Sequence, residues 1–141
     1  MDTYVDTGII VKTYIKESDS PNAIALLLSL PAPIILTPLQ ELETANAIRL
    51  KHARGEITAA AMAAALDNFQ DDIRAGRWHR PFCDHSAIYR KAAELSRAHA
   101  VATNCRSLDL LHVASASVLG CRAFATFDKR QAAAARKAGL S

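Results

Sequence analysis

Four short apolar runs, each followed by longer helix-forming sequence, most limit how this chain can fold. They are "TYVD" from Thr3, "PIILT" from Pro33, "WHRPF" from Trp78 and "RAFAT" from Arg122. Each is the length of a strand, and Pro81 confines the third to a sheet edge. Between and after them come "TGIIVKTYIK", "SPNAIALLLSL", "PLQELETANAIRLKHARG", "TAAAMAAALDNFQDDIRAG", "SAIYRKAAELSRAHA", "SLDLLHVASASVLG" and "KRQAAAARKAG". These are rich in good helix formers. Ser20 and Thr58 suit N-caps, Pro21 suits a first helical turn, and Gly55 and Gly76 suit helix ends. Strands alternating with helices predict an α/β fold: a central parallel sheet of four or so strands, covered by helices on both faces.

Ligands of such sheets bind beyond the carboxyl ends of the strands. That rule gives meaning to two acids. Asp6 closes the first apolar run, and Asp128 follows the last. The helix carrying Glu41 and Glu43 begins directly after the second strand, and so opens at the same rim. Asp109 is the third residue of an otherwise apolar helix. Its ordinary role there is to complement the helix dipole, with Ser107 as the cap.

Taken together, Asp6, Glu43, Asp109 and Asp128 make a set of four carboxylates. Like charges gathered in a cleft repel, and desolvation adds to the cost, so the set calls for a cation. Hard oxygen donors without imidazole or thiolate suit Mg2+ or Mn2+ rather than zinc. Such a centre serves phosphodiester hydrolysis by an activated water. Glu41 competes with Glu43 for the inward position, because the two lie about 200° apart around a helix. Glu43 shares its face with Asn46 and Ala47, which favours it.

Other chemistries find less support. The five glycines include no phosphate-binding loop, and the five histidines show no shared metal spacing. His112 reads as a packed core residue, and Trp78 and Tyr89 as core or interface residues. Cys83, Cys105 and Cys121 read as reduced core thiols. A receiver-type domain would end its second strand in an acid where this chain has Thr37. A haloacid-dehalogenase-like enzyme would carry an acid at Gly8.

The 141 residues, 50% hydrophobic and 22% charged, suit a single domain over residues 1–141. The net charge of +3 permits a nucleic-acid partner without arguing for one. No signal peptide opens the chain, and Pro31 and Pro33 interrupt the longest apolar stretch, so an intracellular, cytoplasmic protein without a membrane span is expected.

The segments "YVDTGIIVKTYIKE", "LTPLQELETANAIRLK", "RSLDLLHVASA" and "AFATFDKRQ...AGL" resemble, in that order, the PIN-domain family, and within it the VapC-like toxin ribonucleases. The resemblance spans nearly the whole chain and implies a PIN-like three-layer α/β/α fold. It places the family's acids on Asp6, Glu43, Asp109 and Asp128. It implies a metal-dependent endoribonuclease acting on RNA, usually homodimeric and usually paired with a VapB-like antitoxin. Asp6, Asp109 and Asp128 would be the principal metal ligands, with Glu43 as a further ligand or as base toward water. Thr7 and Thr126 stand where the family often keeps a hydroxyl beside its acids, and Asn46 supports Glu43. Lys12, Arg106, Lys129 and Arg130 are candidates for RNA phosphates. Many relatives continue past "AGL" into another strand, whereas this sequence stops at Ser141, so a sheet border is left for a partner or helix to cover. The competing expectation is a PIN-like binding module that has lost its chemistry.

Overall fold

The computed structural model describes residues 2–141. In chain order the elements are β1 (Thr3–Val5), α1 (Thr7–Tyr14), α2 (Ser20–Ser29), β2 (Ile34–Ile35), α3 (Pro38–Ala53), α4 (Ala59–Arg74), β3 (Trp78–His79), α5 (His85–Thr103), α6 (Ser107–Val118), β4 (Ala123–Ala125) and α7 (Lys129–Lys137). Every run read as a strand or helix from the sequence is present as that type. The class is α/β, and both strand pairings are parallel. Instead of one four-stranded sheet, the described residues form two sheets of two strands each. The strands are only two or three residues long, so each ladder is brief.

The chain divides into two compact units. Unit one combines the residues up to Asp6 with Pro81–Ser141, and unit two is Thr7–Arg80.

In unit one, β1 lies parallel to β4 with Tyr4 opposite Phe124. The Asp6 N–H extends that ladder by donating to the Ala125 carbonyl at 2.9 Å. The other edge of β4 is met by Ser141, whose N–H donates to Arg122 O at 3.0 Å and whose carbonyl accepts from Phe124 N at 2.9 Å. Part of the border expected to be bare is therefore covered by Ser141. Tyr4, wholly buried, stacks on Phe124 with ring centroids 5.3 Å apart. Its hydroxyl lies 2.8 Å from His112 Nδ1, so His112 is the packed core histidine the sequence predicts. α5 is capped by Asp84, which accepts the Ala87 N–H, and it ends at Asn104 in the left-handed conformation that asparagine tolerates.

In unit two, β2 and β3 pair with Ile34 opposite Trp78. One apolar cluster gathers Ile15, Ile48 and Ala65 with Tyr14, Ile57, Met62 and Leu66 around them. Beside it, Trp78 Nε1–H donates to the Tyr14 hydroxyl at 2.9 Å, and that hydroxyl donates to Asp72 at 2.6 Å. α3 starts with a full capping box. Thr37 Oγ1 accepts the Gln40 N–H and Gln40 Oε1 accepts the Thr37 N–H, both in buried side chains.

Two expected caps move by one residue. Asp19, not Ser20, holds the cap position of α2. The Ser20 hydroxyl instead accepts the Glu17 N–H at 2.8 Å and donates to the Ile15 carbonyl at 3.1 Å, closing the turn before the helix. Arg106, not Ser107, precedes α6, without a side-chain cap bond. Thr58 caps α4 as expected.

Candidate active site

Unit one holds Asp6, Asp109 and Asp128. Tyr4 and Val5 are fully buried, so β1 is a fixed stalk, and the next residue, half-buried Asp6, stands at its tip. Thr126 follows β4 in the parallel neighbour. Its hydroxyl lies 3.2 Å from Asp6 Oδ2 and accepts the Asp128 N–H at 3.0 Å. One hydroxyl thus ties two of the predicted acids together.

Asp128 is exposed and is also the N-cap of α7. Its Oδ1 accepts the N–H groups of Arg130 at 2.8 Å and Gln131 at 3.1 Å. The cap stabilises the helix, and the helix dipole favours the negative charge. Sequence reasoning saw only the functional use of this residue.

Asp109 sits half-buried in the first turn of α6. Cys105, expected from the sequence to be a core thiol, is only partly buried, in the loop before α6. Burial pushes the Cys105 thiol above its ordinary range, a Thr103 hydrogen bond opposes this, and the carboxylates of Asp109 and Asp128 both add to the rise. That sulfhydryl donates to the Arg130 carbonyl at 3.1 Å. Nothing in the local sequence marks Cys105, because the loop before α6 and the first turn of α7 meet only in three dimensions.

Unit two holds Glu43, Glu41 and Thr7. The buried Thr7 hydroxyl donates to Glu43 Oε1 at 3.1 Å. Glu41 is claimed elsewhere: Arg80 reaches its two oxygens from Nε at 2.9 Å and Nη2 at 2.6 Å. Asn46 is exposed, one turn beyond Glu43. Of the cations proposed for RNA, Lys12 is paired with Asp19 at 3.1 Å, while Arg106, Lys129 and Arg130 are exposed.

A divalent metal is the group these residues imply. The donors are carboxylate and hydroxyl oxygens, the hard set that magnesium takes. Among the described residues, no three His, Cys, Asp or Glu side chains form a group that could hold a metal ion. Magnesium needs one or two carboxylates and fills its shell with water, so the kind of donor fits even where a closed protein cage is not built.

Among the described residues, no helix is long and apolar enough to cross a membrane. No curated protein matches the chain. The family model for the PIN domain matches residues 3–137.

Proposed function

The chain belongs to the PIN domain family, whose members are generally nucleases, and on that premise we propose that it is a metal-dependent endoribonuclease. The observation that carries the reading is the joining of Asp6 and Asp128 through Thr126, at the tip of the β1–β4 pair. Acids set at strand ends and held by a neighbouring hydroxyl are oriented for use rather than scattered on a wet face.

Residues 1–141 act as one functional domain, a reading supported by a family match that runs across both units. Asp6, Asp109 and Asp128 hold Mg2+ or Mn2+. When bound, the ion supplies Lewis acidity toward the phosphodiester and makes water a stronger nucleophile at neutral pH. Glu43, oriented by Thr7, is a further oxygen donor or accepts the proton of the attacking water. Thr126 fixes the direction of Asp6. Arg106, Lys129, Arg130 and Lys12 bind phosphates of the RNA. The resemblance to VapC-like toxins further supports a cytoplasmic, homodimeric toxin restrained by a VapB-like antitoxin.

The test is cleavage of a total RNA pool with Mg2+ or Mn2+ and again with chelator. Discrete products that vanish with chelator are expected; cleavage that persists in chelator overturns the metal-dependent reading. The lack of a closed group of three ligands favours one rival, a PIN-like binding module without chemistry. That rival expects RNA or protein binding with no cleavage under either metal.

A further inference from the structure

Thr126 has more neighbours than protons. Its hydroxyl lies 3.2 Å from Asp6 Oδ2 and 3.1 Å from the end of the Gln131 carboxamide, and it accepts the Asp128 N–H at 3.0 Å. A hydroxyl donates one hydrogen bond and accepts two. The Asp128 N–H can only donate, and an ionised Asp6 can only accept. The direction of the Gln131 contact therefore decides where the single proton goes.

With Oε1 toward Thr126, Asp6 and Gln131 compete for that proton. Gln131 Nε2 is then left without a partner in a side chain only 1% exposed. Turning the amide by half a rotation removes both faults. Nε2 then donates to Thr126 Oγ1, and the Thr126 proton is committed to Asp6 Oδ2. The orphan becomes a carbonyl oxygen, which interiors tolerate better than an unpaired N–H. A bond to a carboxylate is also the stronger use of the proton. The site of Gln131 argues the same way. It shares the buried face of α7 with Ala134 and Ala135, where a carboxamide is costly unless it is bonded.

We propose that Gln131 is a positioning residue for Asp6, acting through Thr126: its Nε2 donates to Thr126 Oγ1 and so directs the one hydroxyl proton to the carboxylate. The proposal rests on the reading of Asp6 as a metal ligand and adds a residue to its support.

The experiment compares the full chain with Gln131→Met, Thr126→Val and the double variant, using Mn2+ alone as probe and electron paramagnetic resonance to count free metal. Gln131→Met keeps the side-chain length and removes the donor. It is expected to weaken Mn2+ binding about tenfold, the lower end of what losing an outer partner costs. In the Thr126→Val background it should have no further effect. If Gln131 were instead the acceptor, Gln131→Met would release the proton to Asp6 and binding would hold or tighten, which overturns the proposal. Additive losses in the double variant overturn it too.

A second readout does not depend on metal or on the Gln131 variant folding. The wild-type Gln131 side-chain amide should show one proton shifted downfield, and Thr126→Val should abolish that shift. An amide pair indifferent to Thr126→Val removes the proposed bond. Wild-type protein that takes up no Mn2+ overturns the metal-site reading and this inference with it. Wild-type binding with additive losses overturns the role of Gln131 alone.

Discussion

Arg80 grips Glu41 through two N–H···O bonds, at 2.9 and 2.6 Å. The planar fork of the guanidinium matches both oxygens, the geometry in which an arginine holds a carboxylate best. Glu43, two residues on, receives the Thr7 hydroxyl instead. The two glutamates should therefore respond differently to loss of charge. Glu43→Gln is expected to reduce RNA cleavage by about a hundredfold or more, on the scale of losing a ligand or base. Glu41→Gln should stay within about threefold, since an exposed ion pair adds little. Cleavage rates of the two purified variants decide this, and equal losses would reverse the assignment.

Asp6→Asn provides the sharpest check of the carboxylate set. The amide keeps the shape and can still accept from Thr126 through its oxygen, so the β1–β4 pair should survive. Cleavage should fall at least about a hundredfold, because a neutral amide is a poor ligand for a hard cation. Thermal melting followed by circular dichroism, run beside the cleavage assay, separates lost chemistry from lost fold. Unchanged cleavage would end the case for Asp6.

Legibility from sequence followed the range of the interaction for the elements but not for every local bond. The elements were readable because apolar spacing and punctuation by glycine and proline are local. The box formed by Thr37 and Gln40 was also written locally, in "TPLQ", and went unread. Ser20 looks like a cap by composition, but its hydroxyl serves Glu17 and Ile15 in the preceding turn. Contacts of Arg80 with Glu41, and of Cys105 with Arg130, leave no periodic trace, since they join segments 39 and 25 residues apart. Asp128 was found for its charge, while its capping of α7 was not.

Tyr14 supports the core of unit two through its hydroxyl. It accepts from Trp78 and donates to Asp72, so Tyr14→Phe leaves a buried indole N–H and a carboxylate each short of a partner. The expected loss is about 1–3 kcal/mol, the cost of an unmade buried hydrogen bond. Urea unfolding should show a lower midpoint with an unchanged slope. A midpoint equal to wild type would mean that water replaces the hydroxyl at no cost.

Alkali should destabilise the fold. Burial pushes the Cys121 thiol from 9.0 up to about 11, so the folded state holds a proton that the unfolded state releases earlier. Its contribution is complete below about pH 9 and falls as pH rises toward 11. Burial, aided by the bond to Asp72, raises Tyr14 in the same sense. Lys51 is raised chiefly by its hydrogen bond to Glu17, and that pair is likewise lost as pH climbs through the folded value. Melting temperatures between pH 8 and 11 should fall, and Cys121→Ala should flatten the part between 9 and 11. A profile identical to wild type would place that loss elsewhere.

The pairing of β1 with β4 also governs when the protein can come into being. Asp6 and Thr126 are 120 positions apart, so the loop between them must close before either helps to orient the other. A chain growing on the ribosome makes Asp6 well before its neighbour, which follows 120 residues later. The acids of unit one therefore come together only after β4 has been made. A fragment that stops short of Thr126 carries the charges of Asp6 and Asp109 without the hydroxyl that orients Asp6.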